Sequence, residues 1–442
     1  MVLFSRFNDA TNNCEQKDFS QDCPKMVESK ITRRLNVIVL DEEIPFPLNS
    51  GKRIRSFNLF QRLARLHNIT YLAYCNQDSE ETSLAAREFG RIGIETIVVD
   101  RPVPKKSGFG FYGRLAGNLF STLPYSVWTH TSQSMRTALV QQQKARPVDL
   151  LHCEWTPYAE MMRNVEGKVV TVSAHNIESQ IWQRYHETEQ NPLKRAYIHH
   201  QWKKFQRYER WAFARANRTI FVSEPDAEIA RLSFGATRTA IVDNGVDVST
   251  FTPSFDGREP RRLLIMGSLD WRPNVDGINR FLESVFPKVL TAQPHARLII
   301  VGRNPESGWA HKIRQHKNVE LFANVADVRP YVTQAGTLVV PLRIGGGSRL
   351  KILEAAASGL PVVSTMIGAE GLDFVPGQHF SASENIEDLV QPIVDSIREP
   401  QAAKARAKEA YKVILQNYNW DTLAERMDRI WRAELANEGG ST

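Results

Sequence analysis

Cysteine is scarce in this chain of 442 residues: Cys14, Cys23, Cys75 and Cys153 are the four present, scattered and without a Cys-x-x-Cys pair. That argues against disulfides and structural zinc, and it fits a reducing cytosol. Long apolar runs are also missing. No window reaches the roughly 18 uncharged apolar residues of a membrane span. The opening stretch MVLFSRFNDATNNCEQKDFSQDCPK has no apolar core of signal-peptide type. It is polar and irregular, so residues 1–33 read as a flexible extension. The sequence contains no Asp-x-Asp, no short-period repeat and no nucleic-acid motif. Gly51-Lys52-Arg53 is not a P-loop, because the upstream glycine and the final Ser/Thr are absent. GFGFYG at 108–113 fits G-x-G-x-x-G, but it follows RPVPKKS rather than a strand, so the match reads as chance.

What is present describes a soluble α/β protein of ordinary composition, 42% hydrophobic and 24% charged, with a net charge of +7. The length allows two or three domains with real cores. The positive charge favours anionic partners without choosing among them. Strand-like apolar runs recur at 35–40, 69–74, 96–100, 149–155, 168–176, 218–223 and 239–247, with a helix-like segment at 52–66 after the first. FTPSFDGREPRR, with its Pro, Gly and charge, then reads as a linker. The pattern restarts with LLIMGSLDW at 263–271 and the helix GINRFLESVFPKVL at 277–290, and it continues to PVVST at 361–365. Two βαβ series predict two doubly wound domains with a cleft between them. The expected boundaries are 34–250, a linker at 251–261, 262–416, and a C-terminal segment 417–442 whose amphipathic helix packs back across the junction.

The stretch PLRIGGGSRLKILEAAASGLPVVST (341–365) carries the most chemistry. An apolar strand, a glycine loop, an Ala-rich helix and a second strand form one unit of a parallel sheet. Ligands bind at the carboxyl ends of such strands. Gly345, Gly346 and Gly347 let backbone approach a ligand closely. Ser348 leads into a helix start whose N–H groups suit an anion. Arg349 and Lys351 add full positive charge. Glu354 is negative and suits neighbouring hydroxyls, such as those of a ribose. Phosphate and ribose together suggest a nucleotide; the alternative is a surface loop with a solvent-facing Glu.

This segment, together with DNGVD (243–247), SLDWRPNVDGI (268–278) and SAHNIES (173–179), resembles the retaining glycosyltransferases of the GT-B fold, family 4 (glycosyl transferase group 1). The resemblance covers roughly residues 34–435. It implies a nucleotide-diphosphate sugar held mainly by the C-terminal domain and an acceptor held mainly by the N-terminal one. Glu354 resembles the second Glu of the family's Glu-x7-Glu motif, which grips the ribose; Gly346 stands where the first would be. The family often carries an Arg directly after the glycine of LLIMG and a Lys six residues later. Here Ser268 and Asn274 occupy those places, so the resemblance leaves the diphosphate to Arg349, Lys351 and either Arg272 or Arg303. His175 matches a family His near the transferred sugar and is the catalytic candidate. Gly51 resembles a glycine loop that faces the donor phosphates from the other domain. Glu178 reads as a first-turn carboxylate that complements its helix dipole.

The resemblance implies an enzyme that transfers a sugar to a glycan or lipid-linked acceptor with retention of configuration. No cofactor and no metal is expected, since the Asp-x-Asp of metal-dependent GT-A enzymes is missing. The expected location is the cytoplasm. The basic, aromatic stretches 105–128 and 193–218 are either solvated helix faces or a patch for an anionic membrane surface at the inner face. Nucleic acid is not expected as a partner. The alternatives are a GT-B nucleotide-sugar epimerase and a non-catalytic GT-B protein that binds nucleotide sugar or glycan.

Overall fold

A computed structural model describes residues 33–76, 78–100, 108–165, 168–344 and 349–439. The N-terminal segment 1–32 and the loop residues Gly345, Gly346, Gly347 and Ser348 lie outside the described residues. The first sheet contains β1 (Asn36–Asp41), β2 (Asn68–Tyr74), β3 (Glu95–Val99), β4 (Leu150–Cys153), β5 (Val169–Ala174), β6 (Arg218–Phe221) and β7 (Thr239–Ile241). Its order is β3-β2-β1-β4-β5-β6-β7, all parallel. The second contains β8 (Glu259–Ser268), β9 (Arg297–Arg303), β10 (Val319–Ala323), β11 (Ala335–Val340), β12 (Val362–Thr365) and β13 (Ser381–Ser383). Its order is β10-β9-β8-β11-β12-β13, again all parallel.

The apolar runs are continuous because both faces of each sheet are covered. In β1, Val37 and Val39 enter one core while Ile38 and Leu40 enter the core on the other face. β8 divides in the same way, with Leu264 and Met266 on one side and Leu263 and Ile265 on the other. A parallel sheet buried on both faces has no polar face to present. Both sheets reverse direction at their central strands, β1/β4 and β8/β11. The crevices outside those strand ends are where such sheets bind ligands.

β8 begins at Glu259, inside the segment read as a linker, because its edge residues pair with β11 from Ala335 onward. The helix expected at 277–290 starts earlier, at Arg272, and passes through a π-helical turn at Phe281–Val285. That turn re-registers the hydrogen bonds just before Pro287, which has no N–H to give. The short strand β13 carried no apolar signal and was not anticipated.

The chain returns to the first sheet at its end. In the helix Trp420–Gly439, the residues Trp420, Leu423, Ala424, Met427 and Trp431 join the core formed by Val37, Phe60, Leu63 and Tyr71. Arg62 and Asp421 (2.6 Å) and Arg218 and Glu434 (2.5 Å) bridge the same contact. Gly245 in DNGVD sits beneath this helix. A Cβ there would lie 2.7 Å from Leu423 and 2.8 Å from Trp420, so only glycine lets the strand of linker pass.

Candidate active site

The segments that follow β5, β6 and β7 of the first half face the β8/β11 switch point of the second across a cavity of about 650 Å³. From the first half it is lined by His175, Arg184, Ser223 and Asp226, among others, and from the second by Asp270, Arg272, Arg349 and Glu370. Asp243, Asn244 and Tyr418, from the two crossings between the halves, close its back. The halves touch at one rim, where a Cβ on Gly371 would lie 3.3 Å from Cβ of Ser223.

On the first wall, His175 follows the last residue of β5. Its Nε2 lies 2.7 Å from the backbone carbonyl oxygen of Glu154. A carbonyl only accepts, so Nε2 carries a proton. Glu154 is wholly buried at the end of β4. Its carboxylate accepts from His152 Nε2 (2.9 Å) and Ser56 Oγ (2.8 Å) and stands 3.3 Å from His175 Nε2. Burial pushes the Glu154 carboxyl upward, but the hydrogen bonds and charges of His152 and His175 outweigh it and hold it well below the usual carboxylate range. The imidazole of His175 is thus held from behind by a buried carboxylate. Glu178 does open its helix, yet its side chain accepts from Trp155 Nε1 at 2.9 Å, and the helix N–H groups of Glu178 and Ser179 are taken by the buried Glu209. The capping carboxylate is therefore Glu209, which burial raises to about 8.

On the second wall, Arg349 precedes the helix Leu350–Ala357 with φ +50°. A non-glycine residue in the left-handed region costs on the order of 1 kcal/mol, and such residues cluster at functional sites. The guanidinium is nearly buried and 3.3 Å from Glu370 Oε2. Burial lowers its pKa first; Glu370 and, across the cleft, Asp226 oppose that, while Arg184 on the facing wall adds to it. Two guanidiniums directed at one space lower their repulsion when an anion lies between them. Lys351 and Glu354 do not line the cavity but lie beside it on the helix. Lys351 Nζ donates to Asn274 Oδ1 at 2.8 Å, and Asn274 Nδ2 donates to the Ser268 carbonyl at 2.7 Å. Asn274 thus holds Lys351 at the end of β8, and the cation arrives from the other side of the switch point. Gly267, at φ +148°, leaves the space: a Cβ would lie 3.0 Å from Lys351 Nζ. Burial, then the charge of Arg349, brings Lys351 down to about 8, against the pull of Glu354. Burial raises Glu354 to about 7, against the charge of Lys351.

Of the residues singled out in the sequence, His175, Arg272 and Arg349 share the cavity. Gly51 opens the helix Gly51–Leu66 and does not line it. Arg303 ends β9 and also stays outside. Arg184, Asp226, Glu370 and Glu154 were not recognised. For Glu154 a signal existed: LLHCEW puts a His and a Glu inside a strand that is otherwise core. Arg184 and Asp226 sit on amphipathic helices, where any charged residue reads as solvated.

Two doubly wound parallel sheets with a cleft between them and a final helix crossing back define the GT-B class of glycosyltransferase fold. The family described as Glycosyltransferase Family 4 matches residues 51–250, and the one described as Glycosyl transferases group 1 matches residues 260–399. The chain belongs to glycosyltransferase family 4. Among curated relatives it is 25% identical to a glycogen synthase of Mycobacterium tuberculosis over 46% of this chain and 50% of that protein, so it spans about half the length of that relative. It is 20% identical to an uncharacterized 44.6 kDa protein in the cps region of Klebsiella pneumoniae, over 87% of this chain and 96% of the other. Among solved structures it superposes on sucrose-phosphate synthase from Thermosynechococcus elongatus with a TM-score of 0.67 at 16% identity, covering 91% of this chain and 100% of that one. Anabaena HepE, solved in complex with UDP, gives 0.63 at 14% identity, with 90% and 100% covered.

Proposed function

We propose that the protein transfers a sugar from a nucleotide-diphosphate sugar to a glycan or lipid-linked acceptor, with retention of configuration and without a metal ion. The observation that carries this reading is one interdomain cavity in which three guanidiniums, Arg349, Arg272 and Arg184, stand among the carboxylates Asp226, Asp243, Asp270 and Glu370, opposite an anchored imidazole. Glu354 binds the ribose hydroxyls. Arg349 and Lys351 take the diphosphate and stabilise the charge that develops as the sugar–phosphate bond breaks. His175 lies on the opposite wall, where the sugar would lie. A covalent route needs a carboxylate free to attack the sugar. The cavity carboxylates Asp226, Asp243, Asp270 and Glu370 are engaged by Ser223, Arg426, Ser268 and Arg349, and the oxygens of Glu154 are engaged behind His175. That favours attack from the same face as the leaving group: the acceptor oxygen bonds to the anomeric carbon, the bond to the diphosphate breaks, and the departing phosphate takes the acceptor proton. The enzyme acts in the cytoplasm, with the membrane's inner face as the source of a lipid-linked acceptor.

Donor binding and turnover are expected to survive EDTA. Lys351→Ala and Arg349→Ala are expected to weaken the nucleotide sugar at least tenfold while affecting the nucleoside little. Loss of all turnover on chelation, restored by Mn²⁺ or Mg²⁺, would overturn the charge assignment. The absence of turnover with every donor and acceptor would leave the non-catalytic reading that Gly346, in place of a carboxylate, keeps in view.

The same pair predicts a pH profile. Glu354 becomes a carboxylate above about 7, and Lys351 keeps its proton below about 8. Affinity for a nucleotide sugar is therefore greatest between those values and falls on both sides. A nucleoside lacks the phosphates and falls only on the acid side. Glu354→Gln removes the acid limb and costs at least tenfold, since a charged hydrogen bond contributes about 1.5–3 kcal/mol. Calorimetry across pH that finds unchanged affinity in this variant removes Glu354 from the ribose.

A further inference from the structure

The GFGFYG run dismissed as a nucleotide motif forms the helix Phe109–Leu119, which is mounted inside out. At about 100° per residue, Phe109, Tyr112, Ala116, Leu119 and Phe120 fall on one face, and that face points to solvent. Phe109 is 99% exposed, Phe120 93%, Tyr112 67% and Leu119 46%. A soluble surface helix turns such a stripe inward.

The held side carries the buried Asn118 together with the half-buried Phe111, Arg114 and Leu115. Asn118 is fully buried, donates to the Leu123 carbonyl at 3.1 Å and accepts from Gln201 Nε2 at 2.8 Å. The buried Lys204 donates to the Asn118 carbonyl at 2.5 Å, and Gln201 accepts from the Tyr125 N–H at 2.8 Å. These buried bonds fix the rotation of the helix, so the outward apolar face is a built orientation.

The helix that supplies Gln201 and Lys204, Pro192–Arg215, carries seven Lys and Arg against one Glu. Lys194, Arg195, Lys203, Arg207 and Arg210 are exposed, as is Leu193. Apolar side chains beside a cationic helix match the two parts of an anionic bilayer surface, acyl region and headgroup. A second copy of the chain fits less well, because it would bring another net charge of +7.

We infer that the helix Phe109–Leu119 with Phe120 is an interfacial wedge that seats the N-terminal half on an anionic lipid bilayer, with the helix Pro192–Arg215 supplying the electrostatic contact. This rests on and deepens the lipid-linked acceptor reading by naming the lipid-facing surface of the N-terminal half. Its test stands apart from turnover.

The test is cosedimentation with vesicles of phosphatidylcholine alone and of phosphatidylcholine with about one third phosphatidylglycerol, at low and high salt. The parent is expected to bind the anionic vesicles, to bind the neutral ones weakly, and to lose affinity with salt. The double variant Phe109→Ser, Phe120→Ser is expected to bind at least tenfold more weakly. Its melting temperature and its rate on a soluble acceptor should not change, because both side chains stand in water. No binding by the parent, or equal binding by the variant, overturns the wedge. So does light scattering that finds a dimeric parent and a monomeric variant, which would make the face a protein interface. Vesicle binding lost in the variant, in a protein that turns over no donor, supports the wedge and overturns the transferase reading instead.

Discussion

Replacing His175 with Ala will lower the single-turnover rate of sugar transfer about a hundredfold while changing donor affinity less than about threefold. The difference follows from the two walls. The nucleotide half is assigned to the helix Leu350–Ala357 and its preceding Arg349, whereas His175 stands at the end of β5 on the other side of the cavity. A group that meets the sugar but neither base nor ribose acts mostly in the transition state, and removing it appears in kcat. Loss of one such positioned polar group costs on the order of 10²–10³ in rate. His175→Gln is the companion variant: its amide N–H can still donate to the Glu154 carbonyl, so stability should be kept while the rate is not. A purely structural His175 gives another pattern, in which Gln restores both. A His175→Ala variant as fast as the parent removes the residue from the site.

Trp431→Ala will destabilise the fold by about 3–5 kcal/mol, the usual cost of deleting a buried large aromatic side chain. Trp431 has no exposed surface and packs against Phe60, His67 and His152, with ring centroids 6.5, 5.7 and 5.5 Å away. The cavity would open at the contact between the final helix and the first sheet. A melting temperature lower by at least about 6 °C is expected. Trp431→Phe should cost far less than the Ala change. The indole N–H of Trp431 is buried with no partner among the described residues, so its removal offsets part of the lost packing. His152 is also the donor to Glu154, so Trp431→Ala should slow turnover at temperatures where the fold persists, through the carboxylate behind His175. A melting temperature within about 1 °C of the parent would contradict the packing of this helix on the first sheet.

The sequence by itself determined the two sheets. Twelve of the thirteen strands among the described residues fall in apolar runs visible in the chain, because a parallel strand covered on both faces must be apolar throughout. β13, Ser-Ala-Ser at a sheet edge, lacked that constraint and gave no signal. Glycines and charges in 341–365 marked the carboxyl end of β11 as the candidate site, since the backbone and charge requirements there are local. Only the tertiary structure decided which distant residues meet. Arg184 and Asp226 face Arg349 across the cleft, Lys351 is held by Asn274 on a helix more than seventy residues earlier, and Glu154 braces His175. Arg184 and Asp226 are, in the chain, indistinguishable from charges on a solvated face. The helix Phe109–Leu119 makes the point most sharply. Its periodicity fixes which residues share a face, but the direction of that face depends on a buried Asn118 bonded to Gln201 and Lys204, more than eighty residues away.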